Sequence, residues 1–148
     1  MTERFFFRTA SVGTLPVSPA RPPAGPDWPI DRWQLGSIRE ALGDERTAGL
    51  LALFAGELRT RGAAIRTAIG RSDLAGAWAE VDSLGGAALN VGGRAVGEAA
   101  ARLRTVLGAG RGYGATDLHE ALRGLDRAIA ATLSALRADP QVRALTSA

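Results

Sequence analysis

The amino-acid sequence predicts an all-α fold: an antiparallel up-and-down four-helix bundle preceded by an extra short helix. Three observations lead there. From Asp31 onward apolar residues recur at three- and four-residue steps, and no strand-like alternation interrupts them. The chain is rich in alanine and leucine while only 5% of it is aromatic, a balance that favours helix over strand. The periodic segments are separated by short stretches holding glycine, serine and aspartate, the residues that start and stop helices. A length of 148 residues suits one domain with a real core.

Residues 1–29 read as an irregular tail, because they hold six of the seven prolines, each lacking a backbone donor and disfavouring helix at the residue before it. Phe5, Phe6 and Phe7 in this tail form a small apolar patch, read either as a docking element or as loose packing on the same domain. The bundle is expected over residues 30–138. Asp31 is the N-cap expected for IDRWQLGSIREALG, where Ile30, Leu35, Ile38 and Leu42 make the apolar stripe and Gly43 the stop. Asp44 is expected to cap ERTAGLLALFAGELRTRGAAIRTAIG, with Leu50, Leu51, Phe54, Leu58, Ile65 and Ile69 at helical steps. Ser72 or Asp73 caps DLAGAWAEVDSLGGAALNVG, which ends at Gly92. RAVGEAAARLRTVL follows after almost no loop and must run back antiparallel. GAGRGYGA is a flexible connection, since no Gly-Lys-Ser/Thr follows it and no strand precedes it. Thr116 is expected to cap DLHEALRGLDRAIAATLSALRA, whose face carries Leu118, Leu122, Leu125, Ile129, Leu133 and Leu136. Pro140 lies just past its end, and residues 139–148 read as a C-terminal tail.

All 18 basic residues are arginine, and the formal net charge is only +3. The arginines are scattered beside acidic neighbours with no like-charge run, so composition gives nucleic-acid binding no support. Cysteine is absent and there is one histidine, which excludes disulfides, thiolate chemistry and multi-histidine metal sites. No cofactor and no metal are expected. No apolar run reaches the roughly 18 residues of a membrane span, and a cytoplasmic location is expected.

The third helical segment is unusual for its two adjacent glycines, Gly85 and Gly86, each costing a helix interior about 1 kcal/mol relative to alanine. On a helical wheel Leu74, Ala77, Trp78, Val81, Leu84, Ala88 and Val91 fall on one face, read as core. Asp82 stands on the shoulder of that face among Ala79, Gly85 and Gly86. This smooth shoulder admits either the backbone of another protein or a neighbouring helix of the same bundle, and periodicity leaves both open.

These residues resemble the histidine-containing phosphotransfer (HPt) domain over about residues 30–138. The family signature, Ala-His-x-Leu-Lys-Gly-x-Ala with a glycine soon after, is similar to Val81-Asp82-Ser83-Leu84-Gly85-Gly86-Ala87-Ala88-Leu89-Asn90-Val91-Gly92. The lead-in helix, the second helix and RSDLAGAWAEV also look like their counterparts. Two departures fall on the chemistry: Asp82 stands where the phospho-accepting histidine would be, and Gly85 where the lysine would be. The resemblance implies an HPt bundle, a partner that is a receiver domain of a response regulator or a sensor kinase, and a docking surface at Ala79, Asp82, Ser83, Gly85, Gly86 and Leu89. A neutral imidazole can take and return a phosphoryl group, whereas a carboxylate would form a mixed anhydride needing a nearby cation. The expectation is therefore a binding module with no catalytic residue, a degenerate HPt domain and not an enzyme. Because receiver sites are acidic, Asp82 would repel one unless Mg²⁺ bridges the carboxylates or the partner's site is altered, and Arg66, Arg71 and Arg94 are the candidates to offset its charge. Two alternatives stand beside this reading: phosphotransfer through another residue, with His119 the only histidine, and a helical scaffold or dimerisation protein unrelated to phosphorelay.

Overall fold

The computed structural model describes residues 29–112, 114–140 and 142–143. The Phe5–Phe7 patch and most of the proline-rich tail lie outside the described residues. Among the described residues five helices follow one another: α1 (Arg32–Leu42), α2 (Asp44–Gly70), α3 (Leu74–Val91), α4 (Arg94–Gly108) and, after a single 3₁₀ turn at Gly110–Gly112, α5 (Ala115–Ala138). Among the described residues there is no strand. Helix α2 packs on α3, α3 on α4, α4 on α5 and α5 back on α2, which closes a four-helix ring, while α1 lies against α2 and α3. The expected fold class is what the chain adopts.

The caps explain where the helices begin. Asp31 accepts hydrogen bonds from the backbone N–H groups of Trp33 and Gln34, and Asp73 accepts from that of Gly76, both as expected. Two other starts differ from expectation. Asp44 is the first residue of α2, with Gly43 at the N-cap. Thr116 lies inside the first turn of α5, whose N-cap is Gly114 and whose Asp117 reaches back to the Gly114 N–H. At Gly43 a positive φ of 82° lets the chain turn, and at both starts an acidic side chain in the first turn complements the helix dipole.

The core runs through all four long helices. Leu58 and Ile65 of α2, Ala77 and Leu84 of α3, Val96 and Leu103 of α4, and Leu125 of α5 have no exposed surface. The α3 stripe is narrower than expected: Ala77, Val81, Leu84, Ala88 and Val91 are buried, but Leu74 and Trp78 remain 42% and 41% exposed. These two sit near the start of the helix, at the edge of its buried stripe. Val142, expected to lie in a tail, is buried in the core. Across α2 and α3, Arg61 bonds to Glu57 and, at 2.9 Å, to Glu80. These bonds, led by that with Glu57, raise the Arg61 pKa above the ordinary arginine value.

The turn between α3 and α4 sets the register of the two helices. Gly92 has φ +80°, and a Cβ on it would lie 3.2 Å from the Asp31 carbonyl oxygen, so the left-handed C-cap calls for glycine. A Cβ on Gly93 would lie 2.8 Å from Cζ of Phe54. The chain reverses here within two residues. The segment leading into α1 holds the turn from outside, because the Asp31 N–H donates to the Gly92 carbonyl at 2.6 Å, the Ala95 N–H to the Pro29 carbonyl at 3.2 Å, and the Gln34 side-chain amide to the Leu89 carbonyl at 2.7 Å.

Candidate functional site on the α3–α4 face

Because the turn is so short, residues almost equidistant from it meet across α3 and α4. Gly97 faces Leu89, Ala100 faces Gly85, and Gly108 approaches the indole of Trp78. By the same register Arg104 faces Asp82: its guanidinium donates to the Asp82 carboxylate at 2.7 Å, with both side chains about half exposed. An ion pair this exposed is worth between zero and about 1 kcal/mol. Its effect is local, in that the one carboxylate on this part of α3 is matched by one cation.

Five of the six residues expected to form a docking surface share the open side of α3. Ala79, Asp82, Ser83, Gly86 and Leu89 are exposed, Leu89 by 67%. Gly86 has open space where a Cβ would stand, so its smoothness serves no neighbour within the bundle. Gly85 is placed differently. It is half-buried, and a Cβ there would make an ordinary 3.5 Å contact with Cβ of Ala100 on α4. The two adjacent glycines thus divide between helix packing and open surface. Trp78 adds an exposed aromatic edge to the same side.

The cation opposite Asp82 comes from none of the arginines suggested by the sequence. Arg66 pairs with Asp126 of α5 at 2.7 Å, Arg94 lies 3.6 Å from Glu98 within α4, and Arg71 caps the end of α2. The signal that points to Arg104 is the turn at Gly92 and Gly93, since an antiparallel hairpin with so short a connection pairs positions by their distance from it. His119 lies exposed in the first part of α5, a helix separated from α3 by α4 in the ring. Among the described residues no group of three or more His, Cys, Asp or Glu side chains stands ready to hold a metal. No described helix is long and apolar enough to cross a membrane.

The chain is thus a closed antiparallel bundle whose third helix presents a smooth, partly charged face around one position. A family model, the Hpt domain, matches residues 49–139, and the chain belongs to the Hpt domain family. It therefore has a role in phosphorelay or two-component signalling, and its family interacts with receiver domains of response regulators or with kinases. Comparison with curated proteins and with solved structures gives no significant match.

Proposed function

We propose that the protein is a pseudo-HPt module, which docks a receiver domain or a sensor kinase through the α3–α4 face and carries no phosphoryl group itself. The observation that supports this most directly is the Asp82–Arg104 pair. Asp82 occupies the signature position for the phospho-accepting histidine, and its carboxylate is engaged by a guanidinium at 2.7 Å. A carboxylate tied to a guanidinium is a weaker nucleophile, and among the described residues no acidic cluster stands beside Asp82 to hold the metal ion that phosphoryl transfer to a carboxylate uses. The same pair removes an obstacle to docking. An isolated Asp82 would repel the acidic pocket of a receiver, whereas Arg104 offsets its charge and brings a guanidinium to the face. Gly86, Ala79 and Ser83 leave room for a partner's backbone, and Leu89 and Trp78 offer apolar contacts at the two ends of the face.

Titration of ¹⁵N-labelled protein with receiver domains, with and without Mg²⁺ and beryllofluoride, tests this reading. The expected shifts centre on Ala79, Asp82, Ser83, Gly86, Leu89 and Arg104. Parallel incubation with phosphorylated receiver is expected to leave the protein without phosphate. Absence of binding to every receiver and kinase domain tried, or transfer of phosphate to Asp82 or His119, would overturn it.

A further inference from the structure

A second face of the molecule carries a charge pattern that the α3–α4 site does not use. Between α4 and α5 runs an open groove of about 710 Å³, walled by Arg102 on one side and by Asp117, Glu120, Arg123 and Arg127 on the other. All five side chains are exposed. Among the described residues, Arg102, Glu120, Arg123 and Arg127 have no opposite charge within ion-pair distance, although five other arginines of the bundle do. Arg123 and Arg127 are one helical turn apart, a like-charge spacing that by itself weakens a helix. The two acidic residues precede the two basic ones along α5. Ala121, between the two pairs, is only half-buried, and Gly124, just past Arg123, has empty space where a Cβ would be.

We infer that this groove receives α5 of a second copy of the chain, antiparallel about a two-fold axis beside Ala121 and Leu122. The charge order of α5 is self-complementary in that arrangement and in no parallel one. An axis at this point sets Glu120 across from the partner's Arg123, and Asp117 across from the partner's Arg127, with both pairs repeated by symmetry. Ala121 and Gly124 lie where the helices cross and allow close approach, and Arg102 flanks the incoming acidic end. Four ion pairs result from residues of which all but Asp117 have no polar partner in the monomer. Asp117 keeps one carboxylate oxygen free while the other accepts from Gly114 N–H. The groove lies on the far side of α4 from the Arg104 guanidinium, so two docking faces would remain open in one dimer. The inference is independent of what binds the α3–α4 face.

Sedimentation equilibrium on the full chain, with Glu120→Arg and Arg123→Glu made separately, tests it. Both side chains are exposed and make no ion pair within the fold, and circular dichroism checks that each variant is folded. The wild type is expected to be a dimer that dissociates as salt rises, and each variant alone to dissociate at least about tenfold more readily, as like charges then face each other. Mixed in equal amounts, the two variants are expected to form a heterodimer. The arginine introduced in one chain then meets the glutamate introduced in the other, while the unchanged Arg123 of the first meets the unchanged Glu120 of the second. A wild type that stays monomeric at high concentration would overturn the inference, and would leave inorganic polyphosphate or an acidic peptide as the groove's ligand to be tried. A wild-type dimer indifferent to both charge reversals, or variants that weaken association without rescuing each other, would overturn it as well.

Discussion

At Asp82 the chemistry of the side chain and the geometry around it act together: the nucleophile is of a poor type and its charge is held by Arg104. Three variants separate these contributions. Arg104→Gln is expected to change folding stability by less than about 1 kcal/mol, since both side chains are half exposed. Receiver affinity, measured by calorimetry, is expected to fall about fivefold or more as the uncompensated carboxylate faces an acidic pocket. Asp82→His combined with Gly85→Lys is expected to accept phosphate from a phosphorylated receiver in acid-labile, base-stable form. His119→Ala is expected to match the wild type in taking none.

At the scale of the elements, two glycines of α3 and its following turn are expected to respond in opposite ways to the same change. Gly93→Ala forces a methyl against the Phe54 ring, where the nearest carbon would be 2.8 Å away, and is expected to cost about 1–3 kcal/mol in urea denaturation. Gly86→Ala meets nothing and is expected to raise stability by about 0.5–1 kcal/mol, while weakening partner docking if the partner's backbone comes close. The helix boundaries marked by side-chain caps or left-handed glycines, at Asp31, Gly43, Asp73 and Gly92, are readable in the sequence. The starts of α2 and α5 are displaced from expectation, because Gly43 and Gly114 cap without a side chain and leave the signal to acidic residues nearby. Trp78 and Leu74 fit the helical wheel as core but lie half outside it, since a wheel gives direction around one helix and not the extent of the neighbour that covers it. The residues of the proposed docking face on α3 are legible one helix at a time. Arg104 is not, as it belongs to the adjacent helix and reaches Asp82 only through packing.

For the whole molecule, α1 matters more than its length suggests. The family match begins at residue 49, yet Ile30 and Leu35 are buried and three hydrogen bonds tie the segment from Pro29 to Gln34 to the end of α3 and the start of α4. A chain begun at Asp44 loses these contacts and is expected to be less stable by about 3 kcal/mol, the burial of two large aliphatic side chains. The shortened chain is expected to show increased amide exchange at Leu89 and Gly92, at one end of the proposed docking face, before the far end of the bundle is affected. Equal protection throughout would mean that α1 is an accessory that the four-helix ring does not need.

The two-residue reversal at Gly92 and Gly93 fixes which side chain of α4 stands opposite each side chain of α3. One added residue there would advance the facing helix by about 100° and 1.5 Å, carrying Arg104 away from Asp82 and offering a different neighbour in its place. The same rotation would carry Val96, Ala99, Leu103 and Leu107 off the core, so the length of that turn is geared to the packing: the arrangement that buries the apolar stripe of α4 is also the one that bridles the carboxylate of α3 with a cation.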